Sequence, residues 1–136
     1  MRRIVLDTNC LIVSLPSKSP YHKIWEDFIN GKYTLCVSNE ILTEYEEILS
    51  RKTNSIFANN VIKTILNKQN VEKIDPQYDF RLIEVDPDDN KFVNCAICSN
   101  ANYIVSEDSH FRVLRDIKFP SVNLLTIREF VSVLFS

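Results

Sequence analysis

The sequence predicts an α/β fold: a mostly parallel sheet covered by helices on both sides. Three observations carry this. Short apolar runs such as RIVL, YTLCV and NYIVS alternate with longer stretches of helical period, which is the pattern of βαβ units. The runs lack polar alternation, as strands buried on both faces do. Finally, 136 residues with 45% hydrophobic and 25% charged side chains suit one compact domain spanning 1–136.

Residues 3–6 read as the first strand, ending at Asp7, and Thr8 or Asn9 then begins a turn. Ser19 and Pro20 open a helix over YHKIWEDFING, with Tyr21, Ile24, Trp25 and Phe28 on one face and Gly31 as the stop. Strand YTLCV (33–37) follows. Ser38 is an N-cap for a helix to about Arg51, and a second helix runs from about Asn54 to Asn70. In VEKIDPQYDFRLIEVDPDDN, VEKI reads as a short strand and RLIEV as a further extended piece. Pro87 fits the first helical position with Asp86 as cap, in a helix reaching about Asn100. Strand NYIVS (102–106), a short helix carrying Phe111, Val113 and Leu114, strand VNLLT (122–126) and helix IREFVSVLF complete the chain.

Composition narrows the chemistry. A single glycine, Gly31, rules out glycine-rich loops that bring backbone up to phosphates, so neither a P-loop nor a dinucleotide fingerprint can be built. No G-x-S-x-G elbow occurs, and Cys95-x-x-Cys98 falls inside a helical pattern with no second pair, so buried thiols are expected rather than zinc or redox chemistry. With no signal-peptide pattern and no membrane-spanning run, the expectation is a cytoplasmic protein with no membrane partner. Net charge is −2; setting four acids aside as a metal site would take the remainder to +2.

Carboxylates are the remaining chemistry. Ligands of open parallel sheets bind beyond the carboxyl ends of strands, and two strands end in acids there, Asp7 after IVL and Glu107-Asp108 after IVS. Each also reads as an ordinary helix cap. In DPDDN a cap, a proline and first-turn acids account for Asp86, Pro87 and Asp88 with no function invoked. Asp89 differs. At about 100° per residue the stripe of Phe92, Val93, Ala96 and Ile97 is centred on Asp89, while Asp88 lies roughly a quarter turn away. An inward carboxylate is costly unless paired or metal-bound. Spacing does not choose between Glu44 and Glu46, which lie at opposite edges of the stripe of Ile41, Tyr45 and Ile48. Clustered acids of this kind suit Mg²⁺ or Mn²⁺, and phosphodiester hydrolysis is the natural reaction class.

Four motifs in order, IVLDTN, S-x-x-I-x-x-E, DPDDNKF-x-x-x-A and YIVS-x-D, resemble the PIN domain family, in particular the single-domain toxin-like proteins related to VapC-type toxins. The resemblance implies a three-layer α/β/α sandwich with a central, mostly parallel sheet of four or five strands. It also implies Mg²⁺- or Mn²⁺-dependent ribonuclease activity through Asp7, Glu44, Asp89 and Asp108 as catalytic and metal-binding residues. It selects Glu44 over Glu46, and it selects Asp89 independently of the periodicity. Asn9 and Ser106 match small polar positions that flank the metal and orient ligands or water, and Asp88 and Asp86 are further groups that flank the metal or cap the helix. His110 stands where similar proteins vary and is given no role. The resemblance further implies an RNA substrate, a cognate antitoxin protein and a homodimer, with RNA met by basic residues including Arg2, Arg3, Lys18, His22, Lys23, Arg51, Lys52, Arg112 and Arg115. Two other readings remain: a catalytically silent module binding RNA or a protein, and an aspartyl phosphatase, against which stands Asn9 where such enzymes usually place a second Asp.

Overall fold

The structure, a computed structural model, describes residues 1–118 and 120–136. Five strands form one sheet: β1 (Arg3–Leu6), β2 (Thr34–Val37), β3 (Val71–Lys73), β4 (Tyr103–Val105) and β5 (Leu124–Leu125). Their order is β3-β2-β1-β4-β5, and every neighbouring pair is parallel. The helices are α1 (Thr8–Ser14), α2 (His22–Ile29), α3 (Asn39–Lys52), α4 (Ser55–Leu66), α5 (Asn90–Ser99) and α6 (Ile127–Phe135). Two 3-10 segments, Pro87–Asp89 and Ser109–Asp116, precede α5 and follow β4.

The chain first steps outward from β1 to β2 and β3, then returns across to β4 and β5. Right-handed crossovers place the helices of the outward steps on one face and α5, which lies against β1, β2 and β4, on the other. Strand direction reverses its order of placement between β1 and β4, and such a switch point opens a crevice at the carboxyl ends of both strands. The strands are buried: Ile4, Val5, Leu6, Leu35, Cys36, Val37, Ile104 and Val105 have essentially no exposed surface. The core polar groups are satisfied. Tyr33 donates its hydroxyl to Ile24 O at 2.7 Å and Tyr45 donates to Leu6 O at 2.5 Å, the second bond tying α3 to the last residue of β1.

Several elements differ from the sequence expectation, each for an identifiable reason. The turn expected at Thr8 is the start of a helix, because Asp7 caps it through a hydrogen bond from Asn9 N at 2.8 Å and Cys10 and Leu11 face the core. The helix expected to reach Asn70 stops at Leu66. Asn70 is used instead as a clamp, donating Nδ2 to Phe28 O and Tyr33 O at 2.9 and 2.8 Å, while its carbonyl accepts from Leu35 N at the entry to β3. The first turn after Asp86 is 3-10 rather than α, with Asp86 Oδ1 accepting from Asp88 N. The last two strands are shorter than expected, Tyr103–Val105 and Leu124–Leu125. All three buried cysteines and exposed Cys98 are free thiols. Among the described residues no helix is long and apolar enough to cross a membrane.

The stretch RLIEV forms no strand, yet it is held firmly. Asn90, buried, accepts from Ile83 N at 2.9 Å and donates to Ile83 O at 2.8 Å, so one side chain serves both polar groups of a buried residue as a neighbouring strand would. One helical turn later, Asn94 accepts from Phe80 N at 3.0 Å and donates to Asp79 Oδ1 at 3.1 Å. Replacing Asn90 by Ala orphans a buried N–H and a buried C=O. The expected loss is about 2–4 kcal/mol of unfolding free energy, measured by urea denaturation, with faster amide exchange across residues 79–85. Unchanged stability would show that the side chain is not the clamp.

Candidate functional site

At the β1–β4 switch point the structure brings Asp7 near Asp108 and Glu44, while Asp89 is grouped with Asp86 and His110 rather than with Asp7. Parallel pairing of Leu6 with Val105 is extended by Asp7 N donating to Val105 O at 3.0 Å, which sets Asp7 beside Ser106. Ser106 then links the two strand ends: its hydroxyl donates to Asp7 Oδ2 at 2.5 Å and accepts from Asp108 N at 3.0 Å. Asp7 is 8% exposed. Burial raises its pKa above the ordinary 3.8; the bonds from Ser106 and Asn9 N pull it back, and the charges of Asp108 and Glu44 add to the rise. Asn9 itself contributes its backbone N–H, while its side chain is exposed.

Glu44 comes in from α3. Its Oε2 accepts from the Thr8 hydroxyl, and its Oε1 meets Lys91 Nζ at 2.8 Å. Glu46 lies on the exposed face of the helix. Lys91 also pairs with Asp88 Oδ1 at 2.9 Å, and its side chain is 8% exposed. Burial works against its ammonium, but the bonds and charges of Glu44 and Asp88 outweigh that and hold its pKa above the usual lysine value.

The two aspartates before α5 separate as the periodicity requires. Asp88 is 73% exposed and Asp89 only 17%. Burial lifts Asp89 to about 6, against the opposing hydrogen bond of His110 and with the charges of Asp86 and Asp108 adding to the rise. His110 Nδ1 lies 3.2 Å from Asp89 Oδ2 and 3.4 Å from Asp108 Oδ1. The bond to Asp89 and the neighbouring acids raise its pKa. Asp108 caps the 3-10 segment that carries His110, accepting from His110 N at 2.9 Å.

The acids thus form two linked halves. Asp7, Ser106 and Asp108 form a continuous hydrogen-bonded run, with Glu44 joined to it through Thr8, the residue after Asp7. Asp89 lies beyond Asp108 on the far side of His110. Among the described residues, Asp86, Asp89 and His110 present ligand atoms all within 4.8 Å of one another, a geometry able to hold a metal ion. Thr8, Lys91 and His110 were not marked by spacing. The contacts that tie them to Glu44, Glu44 and Asp89 respectively span 36, 47 and 21 residues, beyond the reach of any local period. Lys91 also has Asp88, and His110 has Asp108, close in sequence. Of the basic residues expected at RNA, Arg3 is occupied internally: it donates to Ser99 O at 2.6 and 2.8 Å and pairs with Glu72. His22 bonds Ser14 O, and Lys23 and Arg51 pair with Asp27 and Glu47.

A family model described as PIN domain matches residues 3–110. Two solved structures share the fold. A chain of VapBC2 from Rickettsia felis, bound to a DNA fragment from their promoter, aligns with TM-score 0.60 at 19% identity, covering 91% of this chain and 98% of that one. A chain of DNA-bound VapBC from Salmonella typhimurium aligns with TM-score 0.57 at 16% identity, covering 93% and 99%. No curated protein matches in sequence.

The raised pKa of Asp7 has a consequence for stability. The folded chain binds this proton more tightly than the unfolded one, so ionised Asp7 costs stability. That cost is absent below the unfolded value of 3.8, grows as pH rises toward the folded value and is constant above it. In EDTA at pH 7.5, Asp7→Asn should therefore melt above the parent chain, with the gap closing as pH is lowered toward 4. A lower melting temperature for the variant at neutral pH would contradict this account.

Proposed function

The chain belongs to the PIN domain family, and on that premise we propose that residues 1–136 form one PIN domain acting as a Mg²⁺- or Mn²⁺-dependent ribonuclease, the toxin half of a toxin–antitoxin pair. The observation that carries the reading is the joining of two strand ends: the Asp7 carboxylate and the Asp108 backbone N–H, 101 positions apart, meet on one serine hydroxyl at the switch point.

The residues fit a divalent cation. The donors are hard carboxylate oxygens, and Asp108 and Glu44 lie near enough to Asp7 to destabilise its charge, a strain that a cation relieves. Asp7, Glu44, Asp89 and Asp108 would hold it; when bound, it supplies Lewis-acid polarisation of a phosphodiester and a water acidic enough to attack near neutral pH. The protein's own part is orientation. Ser106 and Asn9 N–H fix the Asp7 carboxylate, each taking one lone pair of an oxygen that has a second. Thr8 and Lys91 do the same for Glu44, and Asp88 steadies Lys91 from the rim.

The VapBC complexes that share this fold support a protein partner here too, and a homodimer is proposed on the family resemblance. Asp7→Asn and Asp89→Asn should each abolish Mn²⁺-dependent cleavage of RNA while leaving the circular dichroism spectrum intact. Undiminished cleavage by either variant would overturn the assignment. Absence of both Mn²⁺ binding and cleavage in the highly purified parent chain would favour a silent binding module.

A further inference from the structure

Among the described residues, His110 and Asp86 are metal-ligating side chains beside Asp89 that the acidic quartet leaves unused. His110 sits on the 3-10 segment after β4, and Asp108 holds that segment in place by capping it. Its Nδ1 lies between two members of the quartet, 3.2 Å from Asp89 Oδ2 and 3.4 Å from Asp108 Oδ1. Asp86, on the loop before Pro87, completes a group whose ligand atoms lie within 4.8 Å of one another. Two segments converge there: the 3-10 turn Pro87–Asp89 with its cap Asp86, and the 3-10 segment following β4.

We propose that His110 Nδ1 is a ligand of the metal centre, joining Asp89 and Asp86, and that it biases the site toward first-row transition ions over Mg²⁺. The chemical reason is donor type. Mg²⁺ takes oxygen ligands almost exclusively and gives up its waters reluctantly, whereas ions from Mn²⁺ onward accept imidazole nitrogen, with affinity rising along the series. Carboxylates alone discriminate weakly between Mg²⁺ and Mn²⁺; one imidazole among them does so more strongly. His110 Nδ1 donates to Asp89 Oδ2, so it is already directed at a carboxylate ligand; binding an ion at Nδ1 releases that proton to solvent and leaves the ring N–H on Nε2. The other histidine, His22, bonds Ser14 O beside α2 and belongs to a different part of the fold.

The inference rests on the metal-centre reading above, and its test separates the two. Pulsed electron paramagnetic resonance on the Mn²⁺-loaded chain detects nitrogen bound to the ion independently of activity. The expected result is imidazole nitrogen coupling in the parent chain and in His22→Gln, lost in both His110→Gln and His110→Ala. Titration calorimetry should show the Mn²⁺/Mg²⁺ affinity ratio falling about tenfold or more in the His110 variants, with circular dichroism confirming that they remain folded. Mn²⁺ binding and RNA cleavage without nitrogen coupling, or with an unchanged ratio in His110→Gln, would overturn the role of His110 and leave the nuclease reading standing. No Mn²⁺ binding by the parent chain at all would overturn both. Coupling that persists in the His110 variants and disappears in His22→Gln would also overturn it.

Discussion

The hydrogen bond from Asp7 N to Val105 O carries the parallel β1–β4 ladder one residue past the strands, and the geometry of the crevice depends on it. It sets the register in which Asp7 stands beside Ser106. Because side chains alternate between sheet faces, a slip of one residue would turn Ser106 away from Asp7 and break the run to Asp108. Burial of Ile4, Val5, Leu6, Ile104 and Val105 opposes such a slip. Tyr45 adds a third element to the same point: its bond to Leu6 O docks α3 one residue before Asp7, which is why Glu44, its sequence neighbour, reaches Thr8. The acids therefore inherit their positions from backbone pairing and one buried phenol.

What the sequence disclosed and what it hid divide along the range of the interaction. Strand β1, the Ser38 cap and the inward turn of Asp89 were legible because apolar period and capping chemistry are local. At Asp7 capping does not preclude a second contact: its Oδ1 caps α1 while its Oδ2 meets Ser106. The stretch 71–85 is the least legible in the sequence, since Phe80 and Ile83 within it are held by Asn94 and Asn90, side chains on the following helix that stand in for a strand. Asparagine at that spacing has no apolar signature. Lys91 and His110 were hidden too, being tied to Glu44 and Asp89, partners distant in sequence.

Neutralisation of the acids is uneven, and the unevenness is informative. Glu44 has Lys91, and Asp89 has His110, which also faces Asp108. Asp7, the most buried of the quartet, is held by a hydroxyl and an amide instead. Dipoles of that kind orient a carboxylate but offset only part of its desolvation, as the upward shift of its pKa records. A cation bound as proposed would relieve most charge at Asp7, where no cationic side chain competes among the described residues. The same reasoning assigns a cost to the metal-free fold. Replacing Asp7 with an uncharged isostere would relieve it, but the replacement would lack the anionic oxygens that a divalent ion requires. Stability and metal affinity pull this one position in opposite directions. An aspartate kept at a buried strand end, where its charge is a burden to folding, is physically better suited to binding a cation than to capping a helix of seven residues.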